Sequence, residues 1–194
     1  MKTIKDLVIN EITINKSRFI TVLCSVYTLD EVNERIKFYK KKYKDASHYC
    51  SAYILDSYMK CDDDGEPSGT AGIPILNVLK ANDLHYVLCI VIRYFGGVKL
   101  GAGGLVRAYS NSVSKALDKA SIAYLKDGYN VMITFDYENV KLIDNILKNV
   151  NVKKEFNEKI IYYFKIAVHD FENMENLLNE KVLIIKKEPI LLVV

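Results

Sequence analysis

Eight of the nine glycines lie between Gly65 and Gly104, on either side of the longest unbroken apolar run, Tyr86 to Ile92. A continuous apolar and β-branched segment such as Tyr86 to Arg93 (YVLCIVIR) is what a central strand covered on both faces requires. Glycine-rich chain on both sides of that strand must turn tightly and bring backbone close to another surface, because a residue without Cβ does both at little steric cost. The pattern predicts a sheet whose central strand is approached and left through backbone-rich loops.

The surrounding elements follow from periodicity and turn chemistry. Ile12 to Ile14 and Phe19 to Val26 read as two strands joined by the polar turn Asn15-Lys16-Ser17-Arg18, so a hairpin opens the fold. Asp30 is placed to cap a helix on which Val32, Ile36, Tyr39 and Tyr43 form one stripe, with acids in its first turn and lysines in its last. Ser51 to Tyr58 alternates like a half-buried strand. Pro74 suits the first turn of a short helix running to about Lys80, and a longer helix follows Gly103 or Gly104 through Val106, Tyr109, Val113, Ala116 and Ala120. The expected order is ββαβαβα, with the helices against one sheet face.

Asp127-Gly128 reads as a junction between domains spanning residues 1–127 and 128–194. Beyond it come a strand (Asn130 to Asp136), a helix (Glu138 to Asn149) and strands near Val152 to Phe156 and Ile160 to Val168. A helix capped by Asp170 and a strand from Val182 to Val193, interrupted by Pro189, close the chain. This is βαββαβ, the ferredoxin-like plan. The expected class is α+β, in two domains.

Composition narrows the function. The 194 residues are 50% hydrophobic and 26% charged, too apolar for a disordered chain. The longest apolar run is far below the roughly 18 to 20 residues that cross a bilayer, and MKTIKDLVIN has no secretory core, so a cytoplasmic protein with no membrane partner is expected. Cys24, Cys50, Cys61 and Cys89 share no CxxC spacing, and neither disulfides nor a metal site are expected of them. The net charge of +3 is small but uneven. Residues 1–127 hold 18 Lys+Arg against 14 Asp+Glu, and residues 128–194 hold 9 against 10. An anionic partner should meet the first part.

Two blocks there carry chemistry. The first runs from Asp62 through Asp63, Asp64, Gly65, Glu66, Pro67, Ser68, Gly69 and Thr70 to Pro74, and the second from Arg93 to Tyr109. In the second, a glycine loop opening a helix leaves free N–H groups that attract anions. Arg93, Lys99 and Arg107, with Gly96, Gly97, Gly101, Gly103 and Gly104, form the expected anion- or nucleic-acid-binding set. Neither a Walker A nor GxGxxG spacing occurs, and turn-making alone would also explain the glycines. An EF-hand fails, since counting Gly65 as position six puts Lys60 first and Ala71 twelfth; Asp63, Asp64 and Glu66 could still bind magnesium through one or two carboxylates, or cap the turn that Gly65 and Pro67 form, and with the second role favoured no metal or cofactor is expected. His48 with Ser68 or Thr70 is a conceivable nucleophilic set, while His85 and His169 flank strands without companions. Lys37, Lys40, Lys41 and Lys44, with Lys42 adjacent, line the first helix as a solvated face or a track for a phosphate backbone.

Together the blocks DDGEPSGTAG-PIL and RYFGG-KLG-GGLVRAY, each hyphen standing for one variable residue, resemble the signature of the IMPACT family, the YigZ type in bacteria, over residues 15–127. His48 with Ala52-Tyr53 is similar to the family's upstream HxxxAY element. The resemblance implies a first domain like the second domain of ribosomal protein S-five and a second domain like the fifth domain of elongation factor G. It also implies a link to translation, with RNA, a ribosomal surface or a translation-related protein as partner. The regulatory role of eukaryotic members uses an additional domain and is not carried over. Two functions are thus expected: a binding module docking through the basic loop, or an enzyme acting there on a phosphorylated small molecule or nucleotide, with His48, Asp63, Asp64, Glu66, Ser68 and Thr70 as its candidate cluster.

Overall fold

In the computed structural model, which describes residues 1–56 and 58–194, Asn15 and Lys16 take φ angles of 46° and 66°. A two-residue hairpin turn needs this left-handed pair because its twist matches that of the flanking strands. It joins β2 (Val8–Ile14) to β3 (Ser17–Ser25), paired from Ile14↔Ser17 to Val8↔Leu23. A short β1 (Lys2–Ile4) precedes the hairpin.

The chain divides into two units, Met1–Tyr124 and Leu125–Val194. In the first, α1 (Leu29–Lys42), β4 (His48–Leu55), β5 (Tyr58–Asp62), α2 (Gly72–Ala81), β6 (Val87–Tyr94) and α3 (Ala102–Leu117) follow the hairpin. The sheet runs β2-β3-β6-β4-β5, antiparallel throughout. The apolar run forms its central strand. Alternate side chains of β6 serve opposite faces: Val87, Cys89 and Val91 join Ile75, Leu79, Tyr109 and Val113 of α2 and α3. Leu88, Ile90 and Ile92 join Val32 and Tyr39 of α1. Each fully buried aliphatic side chain contributes about 1.5–3 kcal/mol.

Several expectations need correction. The helices cover both faces of the first sheet rather than one, because a strand apolar at every position has two faces to bury. Thr28, not Asp30, caps α1: its side chain accepts from Glu31 N at 3.2 Å, and the Glu31 carboxylate accepts from Tyr27 N at 2.7 Å. The T-x-x-E spacing of a capping box was the signal. The expected strand Ser51 to Tyr58 becomes the end of β4 and the start of β5, with Ser57 outside the described residues. Glycines 103 and 104 lie inside the first turn of α3, not before it.

A strand β7 (Ile122–Phe135) opens with three residues paired to β1 and continues into the second unit. Asp127 and Gly128 lie within it, paired with Leu191 and Ile190, so they form no turn. Gly128 is a close-approach glycine, since a Cβ there would sit 2.4 Å from Leu192 Cδ1 and 2.7 Å from the Ile166 carbonyl oxygen. After a 3₁₀ turn (Tyr137–Asn139), α4 (Val140–Ile146) is shorter than the expected helix. Next come β8 (Val152–Phe156), β9 (Ile160–Ala167), α5 (Val168–Asn179) and β10 (Ile184–Val193). Ala167 occupies the N-cap of α5, and Asp170 sits in the first turn instead. The sheet order is β10-β7-β9-β8, all antiparallel. Val131, Ile133 and Phe135 alternate inward against Ile143, Leu147, Phe171 and Leu178. Pro189 falls on β10, which among the described residues pairs with β7 alone, so a missing donor is tolerated.

The protein is therefore α+β, with two antiparallel sheets in two units. Among the described residues no helix is long and apolar enough to cross a membrane. The four cysteines are free thiols.

Candidate functional site

The first unit brings the start of β3, the start of β4 and the end of β6 to one end of its sheet, where His48 pairs with Arg93 and Arg18 with Tyr94. Both glycine-rich blocks meet there. At the centre is a buried ion pair: Arg93 is 4% exposed and Glu66 8%, and Arg93 Nη1 donates to Glu66 Oε1 at 2.6 Å. The same oxygen accepts from the Tyr109 hydroxyl at 2.7 Å. Arg93 Nη2 donates to Ser17 Oγ at 3.3 Å, and its Cζ lies 5.4 Å and 5.5 Å from the Phe19 and Phe95 ring centres. Arg93 thus locks the acidic block to β3 and β6, with Tyr109 tying the same carboxylate to α3, rather than standing in solvent as a free cation.

The acidic run is spent on its own loop. Asp63 accepts from the amides of Gly69 at 2.8 Å, Ala71 at 3.0 Å and Gly72 at 2.8 Å, which places its carboxylate on the N-terminus of α2. Burial raises its pKa, but these three N–H bonds outweigh burial and hold it below the usual carboxylate range. Asp64 accepts from Lys40 Nζ at 2.8 Å and from Tyr49 N at 2.7 Å, and its carbonyl lies 2.9 Å from His48 Nδ1. Lys40 of the lysine stripe is thereby tied to the loop. Asp62 accepts from Asp64 N at 2.9 Å.

The nucleophilic set does not assemble. The Thr70 hydroxyl donates to the Pro67 carbonyl at 2.6 Å, Ser68 is exposed, and among the described residues no hydrogen bond joins either to His48. His48 Nε2 instead lies 3.9 Å from Glu66 Oε2. Cys50, unremarked as a site residue in the sequence, bonds to the Asp63 carbonyl at 3.0 Å and to the Tyr109 hydroxyl at 3.2 Å. Burial pushes its thiol up to about 12, against the opposing Tyr109 hydrogen bond, and burial likewise raises the Tyr109 phenol. Both stay protonated at neutral pH. Among the described residues no group of three His, Cys, Asp or Glu side chains could hold a metal ion.

The basic block is organised differently. Gly96 serves the fold, since a Cβ there would sit 2.1 Å from the Lys16 carbonyl carbon. Gly101, at φ 70°, is the N-cap of α3 and supplies no side-chain cap, and no acid occupies the first turn. Lys99 and Arg107 are exposed, and among the described residues neither makes an ion pair. A cavity of about 320 Å³ adjoins this helix end, lined by Glu66 and Arg93, by apolar Pro67, Phe95, Leu100 and Leu105, and by Lys99, Gly101 and Ala102. Phe95 is 48% exposed; sequence reading passed over it as one aromatic among many. A second cavity, of about 580 Å³, belongs to the second unit and includes none of the sequence-predicted residues.

Residues 15–117 match the Impact N-terminal domain family, and the two blocks that build this site lie within them. The IMPACT family member YvyE of Bacillus subtilis is 44% identical over 164 residues, covering 83% of this chain and 74% of that protein. An IMPACT family member of Haemophilus influenzae is 33% identical over 185 residues, covering 91% of this chain and 90% of its own length. The crystal structure of a hypothetical protein shares the fold, with a TM-score of 0.65 and 23% identity over 100% of this chain and 96% of that one. With its site-bearing unit matched by the family domain and nearly its whole length aligned to such relatives, the chain belongs to the IMPACT family.

Proposed function

We propose that the first unit is a binding module that docks RNA or a ribosomal surface, through phosphate groups, at the N-terminus of α3. One observation carries this reading: the N-terminus of α2 is occupied by Asp63, whereas that of α3 has no capping side chain and has Lys99 and Arg107 beside it without ion pairs among the described residues. Unsatisfied amides, the positive end of a 16-residue helix and two free cations favour an anion at that point. Contacts of this kind carry no base readout, so binding is backbone-directed and salt-dependent. A role in translation is what the family resemblance adds.

The test is RNA affinity across a salt series for the wild-type protein and for Lys99→Ala with Arg107→Ala. With about three to five phosphates neutralised, the log–log slope for a single strand should be near −2 to −3.5, and the double variant should lose about 1.4 of it. Binding absent at low salt, or a slope the double variant leaves unchanged, overturns the proposal. A second reading is an enzyme acting on a phosphorylated small molecule or nucleotide at this loop. It draws on the cavity beside the buried Glu66–Arg93 pair, with His48 Nε2 3.9 Å from Glu66. Turnover of a phosphorylated compound, lost in His48→Ala, would favour it.

The domain plan belongs to the same proposal: an IMPACT-type domain over residues 1–127, similar to the second domain of ribosomal protein S-five, and a ferredoxin-like domain over 128–194. The βαββαβ order and the β10-β7-β9-β8 sheet support the latter name. Absence of cooperative urea unfolding in isolated residues 1–126 would count against the boundary or the autonomy of the first domain.

A further inference from the structure

We propose that the cavity beside α3 receives one unstacked base of a single-stranded RNA, so that the protein reads strandedness as well as charge; this rests on the backbone-docking reading above. The cavity, about 320 Å³, is at the small end of ligand pockets, which begin near 300 Å³, and suits a single planar group rather than the body of a duplex. Its walls are apolar at Pro67, Phe95, Leu100 and Leu105, while Lys99 and the open helix end stand at the same cavity. An apolar slot beside an anion site matches one nucleotide unit, with phosphate on the amides and base against the walls.

Phe95 is the stacking element. The residue is 48% exposed although Arg93 Cζ lies 5.5 Å from its ring centre, so the guanidinium backs an aromatic side chain that solvent, and hence a base, can reach. Single-stranded RNA is recognised largely by stacking unpaired bases on such rings, whereas paired bases inside a duplex cannot reach them. Arg93 itself lines the cavity at 4% exposure, and its Nε is buried without a hydrogen-bond partner among the described residues. Unpaired buried donors are rare, and a guest in the cavity is one explanation for this one.

Gly103 gives an independent indication. It lies in the first turn of α3, where glycine is a poor helix former, and a Cβ built there would meet nothing within 4 Å. No packing among the described residues requires a glycine at this position. Bare backbone there lets a phosphate and its ribose come within contact of the helix end.

The experiment compares three probes of equal length on the full chain: a single-stranded RNA, the same strand with abasic sites in place of its bases and hence the same charge, and the strand annealed as a duplex, which carries twice the phosphates. Wild-type protein should bind the base-bearing strand about tenfold more tightly than the abasic strand, the scale of one stacked base. Phe95→Ala should abolish that difference while leaving the salt slope unchanged, and Phe95→Tyr should retain it. Equal affinity for base-bearing and abasic strands, or for single strand and duplex, with the salt slope intact, overturns this inference alone. A Phe95→Ala protein that keeps the tenfold preference also overturns it. No salt-dependent binding of any probe overturns the docking reading and this inference together.

Discussion

Two helices of the same unit begin in glycine-rich chain, and their N-termini are treated in opposite ways. Asp63 holds the amides of Gly69, Ala71 and Gly72 at the start of α2, while α3 begins at Gly101 with neither a capping side chain nor a first-turn acid. The acidic block consumes its own polar groups: Asp62, Asp63, Asp64, Glu66 and Thr70 all find partners within the unit. The basic block leaves Lys99, Arg107, Phe95 and Gly103 facing open space or solvent. Groups already satisfied by the fold explain stability, and groups the fold leaves unspent are the ones available to a partner. Two glycine-rich, charged blocks that look alike in sequence therefore do two different jobs.

The sharpest way to break this contrast is to cut the tie between the blocks. Arg93→Met leaves the Glu66 carboxylate buried without its cation and removes the bond to Ser17, so a loss of about 3–5 kcal/mol is expected in urea unfolding. A loss under about 1 kcal/mol would mean that the pair is relaxed by solvent and that Arg93 is free for a ligand after all.

A smaller effect is expected from Asp63→Ala, about 1–2 kcal/mol, for a carboxylate that caps a helix. Because its pKa is lowered in the folded state, its contribution is complete above the unfolded carboxylate pKa and is lost as pH falls through the folded value. Wild-type stability should therefore fall more steeply on acidification below about pH 4 than that of Asp63→Asn. Identical acid limbs in the two proteins would remove Asp63 from the capping role.

Gly103→Ala should show the reverse sign. An exposed helix position with open space around it gains up to about 1 kcal/mol on replacing glycine, measured as a higher urea midpoint with an unchanged slope. Affinity for RNA should fall in the same variant. A protein both more stable and undiminished in binding would show that the glycine serves neither the fold nor the partner.

Much of this was legible in the amino-acid order. The apolar run Tyr86 to Ile92 dictated a central strand, and the spacing of Val32, Ile36, Tyr39 and Tyr43 dictated one face of α1, because burial periodicity is a local property. Strands β8 and β9 were readable for the same reason. Strands β1 and β5 were not: β5 buries little and exists through the hydrogen bonds that β4 offers it, and β1, although Thr3 and Ile4 are buried, is three residues long, too short for a burial period to show. Asp127-Gly128 read as a domain junction because the sequence does not show Leu192 lying against Gly128. The two glycine-rich blocks identified where chemistry would gather, but a charge and its partner can be far apart along the chain. Arg93 and Glu66 are separated by 27 positions, and Tyr109 from Glu66 by 43. Sequence determined which cations, acids and glycines this protein owns. Only the tertiary structure decided that Arg93 is neutralised inside while Lys99, Arg107 and the bare end of α3 are left facing outward, because pairing is settled by three-dimensional distance and burial.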